Sequence, residues 1–364
     1  MKIAYDAKRF FHNSSGLGNY SRDLIRIMAE YYPENEYILL NKNKSERGEN
    51  ILNHKSVRFV ETSKGNMSRQ FKMGRDAQNQ NADIFHGLSG ELPLKWNKKP
   101  IRKIVTIHDL IFIRYPHYYS FFDRKIHLWK FKKAAASADK IIAISEQTKR
   151  DIIQFLNIPE SKIEVIYQGC HQAFKEDQSE EFIQKTKEKF NLPERFVLNV
   201  GTIEERKNLL SVVKALKDTN IPLVVVGKKT KYFKKVENFI HQNKIKVYFL
   251  EGVSMDELAV IYKLADIFIY TSFFEGFGIP VIEALFSKTV VITSNTSCLP
   301  EAGGPDSVYI DPKNPLDLAA KIKFLWQNES ERKRRAERGW EFVQKFNDET
   351  IATELMNLYK NILP

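Results

Sequence analysis

Cysteine is nearly absent: Cys170 and Cys298 are the only two in the chain. Two thiols so far apart in sequence support neither a disulfide scaffold nor a cysteine-rich zinc site, and they suit a reducing compartment. Long apolar runs are missing too. None approaches the ~18 residues that a membrane-spanning helix needs. The opening stretch MKIAYDAKRFF has Asp6 and Lys8 where a secretory signal would need continuous apolar residues, so a cytoplasmic location is expected. No two aspartates stand in D-x-D spacing, and there is neither a short-period repeat nor a low-complexity tract. Acidic residues are in the minority, with 45 Asp and Glu against 57 Lys and Arg, a formal net charge of +12.

What is present reads as ordinary globular sequence, with 43% hydrophobic and 28% charged residues. A length of 364 residues suggests two domains. The charge is unevenly placed. Residues 1–170 hold 29 basic and 18 acidic residues, whereas 171–364 hold 28 and 27. A basic first half suggests an anionic partner such as a phosphorylated lipid, a membrane surface, an acidic substrate or nucleic acid; it also serves as a solubilising surface.

Short β-rich runs alternate with helical patterns throughout. Strands are predicted at 2–6, 36–40, 57–60, 83–85, 103–107, 140–144 and 163–166, then at 196–200, 223–226, 247–250, 267–270, 290–292 and 307–310. Most are continuous apolar runs rather than alternating ones, the pattern of strands buried on both faces of a parallel sheet. Helical periodicity lies between them, at 20–31, 145–156, 209–216 and 256–264. The last ~35 residues read as helix with a break near 346–348. Repeated βα alternation predicts an α/β architecture of two doubly wound, Rossmann-like domains, with the boundary after Ile166. Two such domains facing each other would put a ligand cleft between them, outside the carboxyl ends of the strands.

Four segments carry candidate chemistry. In HNSSGLGNYSRDL, residues 12–24, Gly16 and Gly18 can take positive φ and admit a phosphate to a helix start; a plain strand-to-helix turn uses the same residues. In TIHDL, His108 and Asp109 fall just past a buried strand, where an imidazole can meet a sugar hydroxyl or phosphate, or stay satisfied locally. His86 has the same placement after DIF. In GTIEERKNLL, Arg206 and Lys207 are adjacent cations near a helix start. They suit a diphosphate, or form a solvated group with Glu204 and Glu205. The most informative segment is TSFFEGFGIPVIEALF, residues 271–286. Gly276 and Gly278 make a tight loop, Pro280 suits a first helical turn, and Glu275 and Glu283 are separated by seven residues. Carboxylates in these places accept bonds from vicinal sugar hydroxyls. The amides of Gly276, Phe277, Gly278 and Ile279, with the helix dipole, can hold phosphate oxygens. Three aromatics in the loop, Phe273, Phe274 and Phe277, point to a packed, shaped site.

EGFGIPVIEA resembles the E-x7-E signature of the retaining glycosyltransferases of family 4 (group 1), which have the GT-B fold. IIAISEQTKRDII, VIYQGCHQAF, GTIEERKNLL, FLEGVSMDELAVIYKLADIFIYTS and SNTSCLPEAGG resemble the same family in the expected order, and GTIEERKN is similar to a branch containing O-antigen mannosyltransferases. The resemblance implies that Glu275 binds the transferred sugar's hydroxyls and Glu283 the nucleotide ribose. It implies that Arg206 and Lys207 neutralise the donor diphosphate, and that Gly276, Phe277, Gly278 and Ile279 contact sugar and phosphate. Val253 would lie near the base, His108 would contact the sugar, and the loop with Gly16 and Gly18 would approach the diphosphate. Many relatives carry Arg where this chain has Thr202, so the Arg206–Lys207 pair would supply both charges. The implied domains are 1–170 for the acceptor, with the helix 347–364 packing back on it, and 171–346 for the nucleotide sugar.

A departing nucleoside diphosphate needs its developing charge stabilised. Without a D-x-D pair, Arg206, Lys207 and the helix amino terminus take that part, so a metal-independent reaction with no cofactor is expected. The family implies retention, by front-side attack with the donor phosphate as base. The expected donor is a nucleotide sugar, GDP-mannose by preference; the expected acceptor is a glycan or a polyprenyl-diphosphate-linked sugar in cell-surface polysaccharide (lipopolysaccharide) synthesis. Residues 121–133, FFDRKIHLWKFKK, could rest on the inner face of the cytoplasmic membrane; packing of Phe122, Ile126 and Trp129 inward is the expected alternative, leaving Lys132 and Lys133 as candidates. GKKTKYFKK, residues 227–235, is a second basic cluster and reads as a solvated loop and helix face. A sugar-nucleotide epimerase of the same architecture is the competing enzyme. A nucleic-acid-binding module competes more weakly, because no recognised motif or stacking platform accompanies the charge.

Overall fold

A computed structural model of the chain describes residues 1–65 and 67–364. It divides into two compact units, one of Met1–Gly169 with Phe346–Pro364 and one of Cys170–Lys345. Each is built on a single parallel sheet with helices on both faces.

The first unit holds seven strands: β1 (Lys2–Asp6), β2 (Glu36–Asn41), β3 (Val57–Glu61), β4 (Ile84–Gly87), β5 (Arg102–Ile107), β6 (Lys140–Ala143) and β7 (Ile163–Val165). Their order is β3-β2-β1-β4-β5-β6-β7, all pairs parallel. The apolar runs are explained by burial on both faces. In β1, Ile3 and Tyr5 pack into one core with the helix Gly16–Tyr31, while Ala4 packs into the opposite one with Phe85 and Val105. The order reverses between β1 and β4, so a crevice opens at their carboxyl ends. The C-terminal helix Asp348–Ile362 closes one face of this unit. Ile351, Ala352, Leu355, Met356, Leu358 and Tyr359 are buried on it, and Asp348 meets Arg26 at 2.8 Å.

The second unit repeats the plan with β8 (Val197–Val200), β9 (Leu223–Val226), β10 (Val247–Leu250), β11 (Ile267–Tyr270), β12 (Val291–Ser294) and β13 (Val308–Ile310). Their order is β10-β9-β8-β11-β12-β13, again all parallel, with the reversal between β8 and β11. All thirteen expected strands are present, displaced by at most two residues at an end, and both domains are doubly wound as the sequence pattern predicts.

Two expectations fail. Gly16 and Gly18 take no positive φ; they are the first and third residues of the helix Gly16–Tyr31. Gly18 is needed for space rather than for φ, because a Cβ there would lie 2.0 Å from the Asn13 carbonyl oxygen. The helix Phe121–Ser137 does not turn Phe122, Ile126 and Trp129 inward. They are 76%, 54% and 50% exposed, and the helix buries Ala134 and Ala135 instead. Leu128 and Phe131, which are partly buried, make the remaining apolar contact with the core.

Candidate active site

The carboxyl ends of β8 and β11 bring Arg206, Lys207 and Glu275 together. After β8 the chain turns at Gly201, runs through the part-buried Thr202 and enters a single 3-10 turn, Glu205–Lys207, that carries both cations. Asn208, in the left-handed region at φ 57°, ends that turn, and its side-chain amide donates to the Pro312 carbonyl at 2.8 Å. After β11 the loop returns alongside. Phe273 N–H donates to the Arg206 carbonyl at 2.9 Å, and Arg206 Nη1 donates to the Phe274 carbonyl at 2.6 Å. Phe274 and Phe277 are buried, so two of the three loop aromatics are packed into the protein.

Glu275 is 8% exposed, with Arg206 Nη1 2.8 Å from Oε2 and Lys207 Nζ 2.7 Å from Oε1. The Tyr270 hydroxyl donates to Oε1 at 3.0 Å, and the Lys207 ammonium donates to the Tyr270 oxygen. Burial would raise the Glu275 pKa, but Lys207 and Arg206 outweigh it and hold the carboxyl at about 2. The group is therefore ionised throughout the physiological range. Tyr270 was not legible as a site residue: a tyrosine closing an apolar strand reads as core. The one available signal is that a buried phenol needs a partner.

Glu283 is as deeply buried but has no cation in contact with it among the ion pairs of the described residues. It is the fifth residue of the helix Ile279–Phe286 and is 7% exposed, and the hydroxyl of Tyr262 donates to its Oε2 at 3.0 Å. Burial pushes its pKa up to about 7, against the pull of Tyr262 and the more distant Lys207. The two acids of the E-x7-E segment thus sit in opposite electrostatic environments. Gly278, at φ 128°, makes the turn into the helix, and a Cβ there would lie 3.1 Å from Leu299. Ile279 is its first residue and Pro280 its second, so the first-turn amides and the positive end of the dipole face the loop of Gly276 and Phe277. The single S–H of buried Cys298 is shared between the carbonyls of Phe277 (2.7 Å) and Glu275 (3.2 Å) and ties that loop to Cys298. Val253 is part-exposed, two residues before the helix Met255–Leu264 that carries Tyr262.

His108, Gly16 and Gly18 belong to the first unit. His108 Nε2 donates to the Leu88 carbonyl at 2.9 Å, and the Tyr20 ring stands edge-on to it at 4.6 Å. Burial, with Arg9 nearby, lowers its pKa to about 4 despite the Leu88 bond, so the ring is neutral at pH 7 and Nδ1 is its acceptor nitrogen. His86 is fully buried between the Tyr359 hydroxyl (2.7 Å) and the Thr106 hydroxyl (2.8 Å), which makes it a core group. Among the described residues no group of three or more His, Cys, Asp and Glu is arranged to hold a metal ion.

Residues 14–173 match the family model described as Glycosyltransferase Family 4, and residues 180–342 match Glycosyl transferases group 1. The O-antigen chain mannosyltransferase B of Escherichia coli is 27% identical over 76% of this chain and 74% of its own length. The O-antigen chain mannosyltransferase RfbU of Salmonella typhimurium is 31% identical over 61% of this chain and 60% of its own. Among solved structures, the sucrose-phosphate synthase of Thermosynechococcus elongatus superposes with a TM-score of 0.80 at 20% identity, covering 100% of this chain and 99% of that one. The two family models divide nearly the whole sequence between them, and Arg206, Lys207 and Glu275 lie on the loops that follow the two strands at the second sheet's reversal. The chain belongs to the family 4, group 1 glycosyltransferases of GT-B fold.

Proposed function

We propose that the protein is a retaining, metal-independent hexosyltransferase that moves a sugar from a nucleoside-diphosphate donor to a glycan or polyprenyl-diphosphate-linked acceptor in cell-surface polysaccharide synthesis. The observation that carries this reading is Glu275, buried and ionised between Arg206 and Lys207, beside a helix amino terminus. A carboxylate held in this way accepts sugar hydroxyls, and the same two cations meet the leaving diphosphate. Glu283 would take the ribose hydroxyls, with Val253 near the base. Gly276, Phe277, Gly278 and Ile279 would line the sugar and phosphate, with Thr202 beside the diphosphate. From the first unit, neutral His108 would accept a sugar hydroxyl and the loop bearing Gly16 and Gly18 would approach the diphosphate. In the proposed step the C1–O bond to the diphosphate breaks, the acceptor hydroxyl oxygen bonds to C1 on the same face, and a departing phosphate oxygen takes the acceptor's proton. Mannose from GDP-mannose is the preferred donor, because the two relatives above are described as mannosyltransferases.

No helix among the described residues is long and apolar enough to cross a membrane. Peripheral contact with an anionic bilayer is part of the proposal. Its support is the exposed face of Phe121, Phe122, Ile126 and Trp129 beside Lys125, Lys132 and Lys133. The wild type should float with vesicles containing an anionic lipid, and Phe122→Ser with Trp129→Ser should not.

The donor assignment is tested by thermal shift against GDP, UDP, ADP and their sugar conjugates, with and without EDTA. A ligand at ~100 times its dissociation constant stabilises by ~2.7 kcal/mol. A shift with one nucleotide, unchanged by EDTA and lost in Glu283→Ala, is expected. No shift with any nucleotide removes the donor reading, and nucleotide release from the sugar conjugate without any acceptor would favour an epimerase.

A further inference from the structure

The reversal in the second sheet is occupied by Arg206, Lys207 and Glu275. The reversal in the first sheet, between β1 and β4, carries its own group of cations that the roles above leave unused. Lys8 and Arg9 open the short helix Lys8–His12 directly after β1, much as Arg206 and Lys207 follow β8. Arg69, from the short helix Ser68–Phe71, spans the crevice itself. Its Nε donates to Asp6 Oδ2 at 2.6 Å, on the last residue of β1, and its Nη1 donates to Glu91 Oε2 at 2.8 Å, in the loop after β4. Lys130 arrives from the helix Phe121–Ser137, with its ammonium 3.5 Å from Glu91 Oε1.

Four cations and two carboxylates leave two positive charges uncancelled at one strand-end crevice. Two donors are also unspent: Arg69 Nη2 and Arg9 Nε are buried and have no hydrogen-bond partner. A buried guanidinium N–H without an acceptor is costly and rare, and it marks a place where an acceptor belongs. Lys8 reports the same excess. Its ammonium is pushed below the ordinary lysine range by Arg69 above all, then by burial and Arg9, and Glu91 and Asp6 only partly offset this. Lys8 remains exposed, so the site is open to a ligand.

We propose that Lys8, Arg9, Arg69 and Lys130 form a binding site for the phosphate or diphosphate group of the acceptor. An anion with several oxygens and about two charges matches donors that converge from three separate elements, whereas a carboxylate would leave one charge unmet. The carboxyl ends of parallel strands at a reversal are where such a ligand sits. The word acceptor rests on the transferase reading; the anion site itself does not.

Inorganic pyrophosphate and farnesyl diphosphate, titrated by calorimetry, test this. The background replaces Arg206, Lys207 and Glu275 with Gln, so that the second unit neither binds the probe nor keeps an unpaired buried charge. Adding Lys8→Gln and Arg9→Gln should weaken pyrophosphate at least tenfold without lowering the melting temperature, and Lys8→Arg should retain binding. If the Gln background does not fold, the count of pyrophosphate sites in the otherwise wild-type chain should fall from two to one with the same pair. Farnesyl diphosphate binding more tightly than pyrophosphate would assign the site to a lipid-linked acceptor, and equal affinity to a phosphorylated sugar. Nucleoside diphosphate affinity should be unchanged in Lys8→Gln with Arg9→Gln. Its loss would make the cluster part of the donor site and overturn the proposal, as would pyrophosphate affinity indifferent to Lys8 and Arg9. A wild-type chain that binds no nucleoside diphosphate fails the transferase reading, while the pyrophosphate result still decides the anion site.

Discussion

Glu275 and Glu283 show how far one side-chain type is divided by its surroundings. Glu275 has a folded-state pKa of about 2, below the ordinary value. Its stabilising contribution is therefore full above pH ~4.3 and lost as pH falls toward 2, an amount on the order of 3 kcal/mol. Glu283 has a folded-state pKa of about 7, above the ordinary value. What its protonated form contributes is full below pH ~4.3 and lost as pH rises to 7, so the charged form is a growing burden. Glu283→Gln should accordingly gain stability over the wild type between pH 5 and 7, by roughly 3 kcal/mol at the upper end in urea titrations. If ribose hydroxyls donate to Glu283, nucleotide binding should release a fraction of a proton at pH 6.5, visible as a buffer-dependent calorimetric enthalpy. Tyr270→Phe removes the hydroxyl between Lys207 and Glu275. It should lower kcat/KM by about 10- to 100-fold, the range for a hydrogen bond to a charged group.

At the scale of elements, the loop into the helix Ile279–Phe286 does most to place the site. Gly278 holds a φ that side chains resist, with Leu299 and Ala302 in the way of a Cβ. Gly278→Ala should cost about 1–3 kcal/mol in chemical denaturation and weaken nucleotide binding with it. The helix Met255–Leu264 starts in a full capping box, with Ser254 and Glu257 exchanging bonds. Ser254→Ala should cost about 1 kcal/mol without touching Glu283 directly. Element existence was legible because strands buried on both faces are continuous apolar runs. The side toward which the helix Phe121–Ser137 turns was not. Its aromatics and lysines interleave at near-helical spacing without a clean apolar stripe, and the small residues Ala134 and Ala135 take the buried positions. The positive φ expected of Gly16 and Gly18 failed for a related reason. Gly-x-Gly before a helix fits both a left-handed turn and a helical first turn; here both glycines lie within the helix, and the Asn13 carbonyl leaves no room for a Cβ at Gly18.

At the scale of the whole molecule, the C-terminal helix Asp348–Ile362 belongs to the unit that the first 169 residues build. Truncation after Phe346 exposes the apolar surface that Ile351, Leu355, Met356 and Tyr359 cover, and removes the Tyr359 hydroxyl from buried His86. The first unit should then melt early or not fold, while the second keeps a cooperative transition, read by limited proteolysis across a temperature ramp.

The sequence alone determined the repeated strand–helix alternation of two doubly wound domains and the E-x7-E segment, whose resemblance to family 4 implied the GT-B class, because hydrophobic period and short-range loop chemistry are local properties of the chain. Tertiary structure decided which distant groups meet. Tyr270 lies between Lys207 and Glu275, Tyr262 bonds Glu283, and Arg69 bridges Asp6 and Glu91 across 63 and 22 residues of sequence. Such contacts depend on sheet order and on which strand ends become neighbours. Strand order is set by the packing of all the elements together, so no local stretch of sequence encodes it.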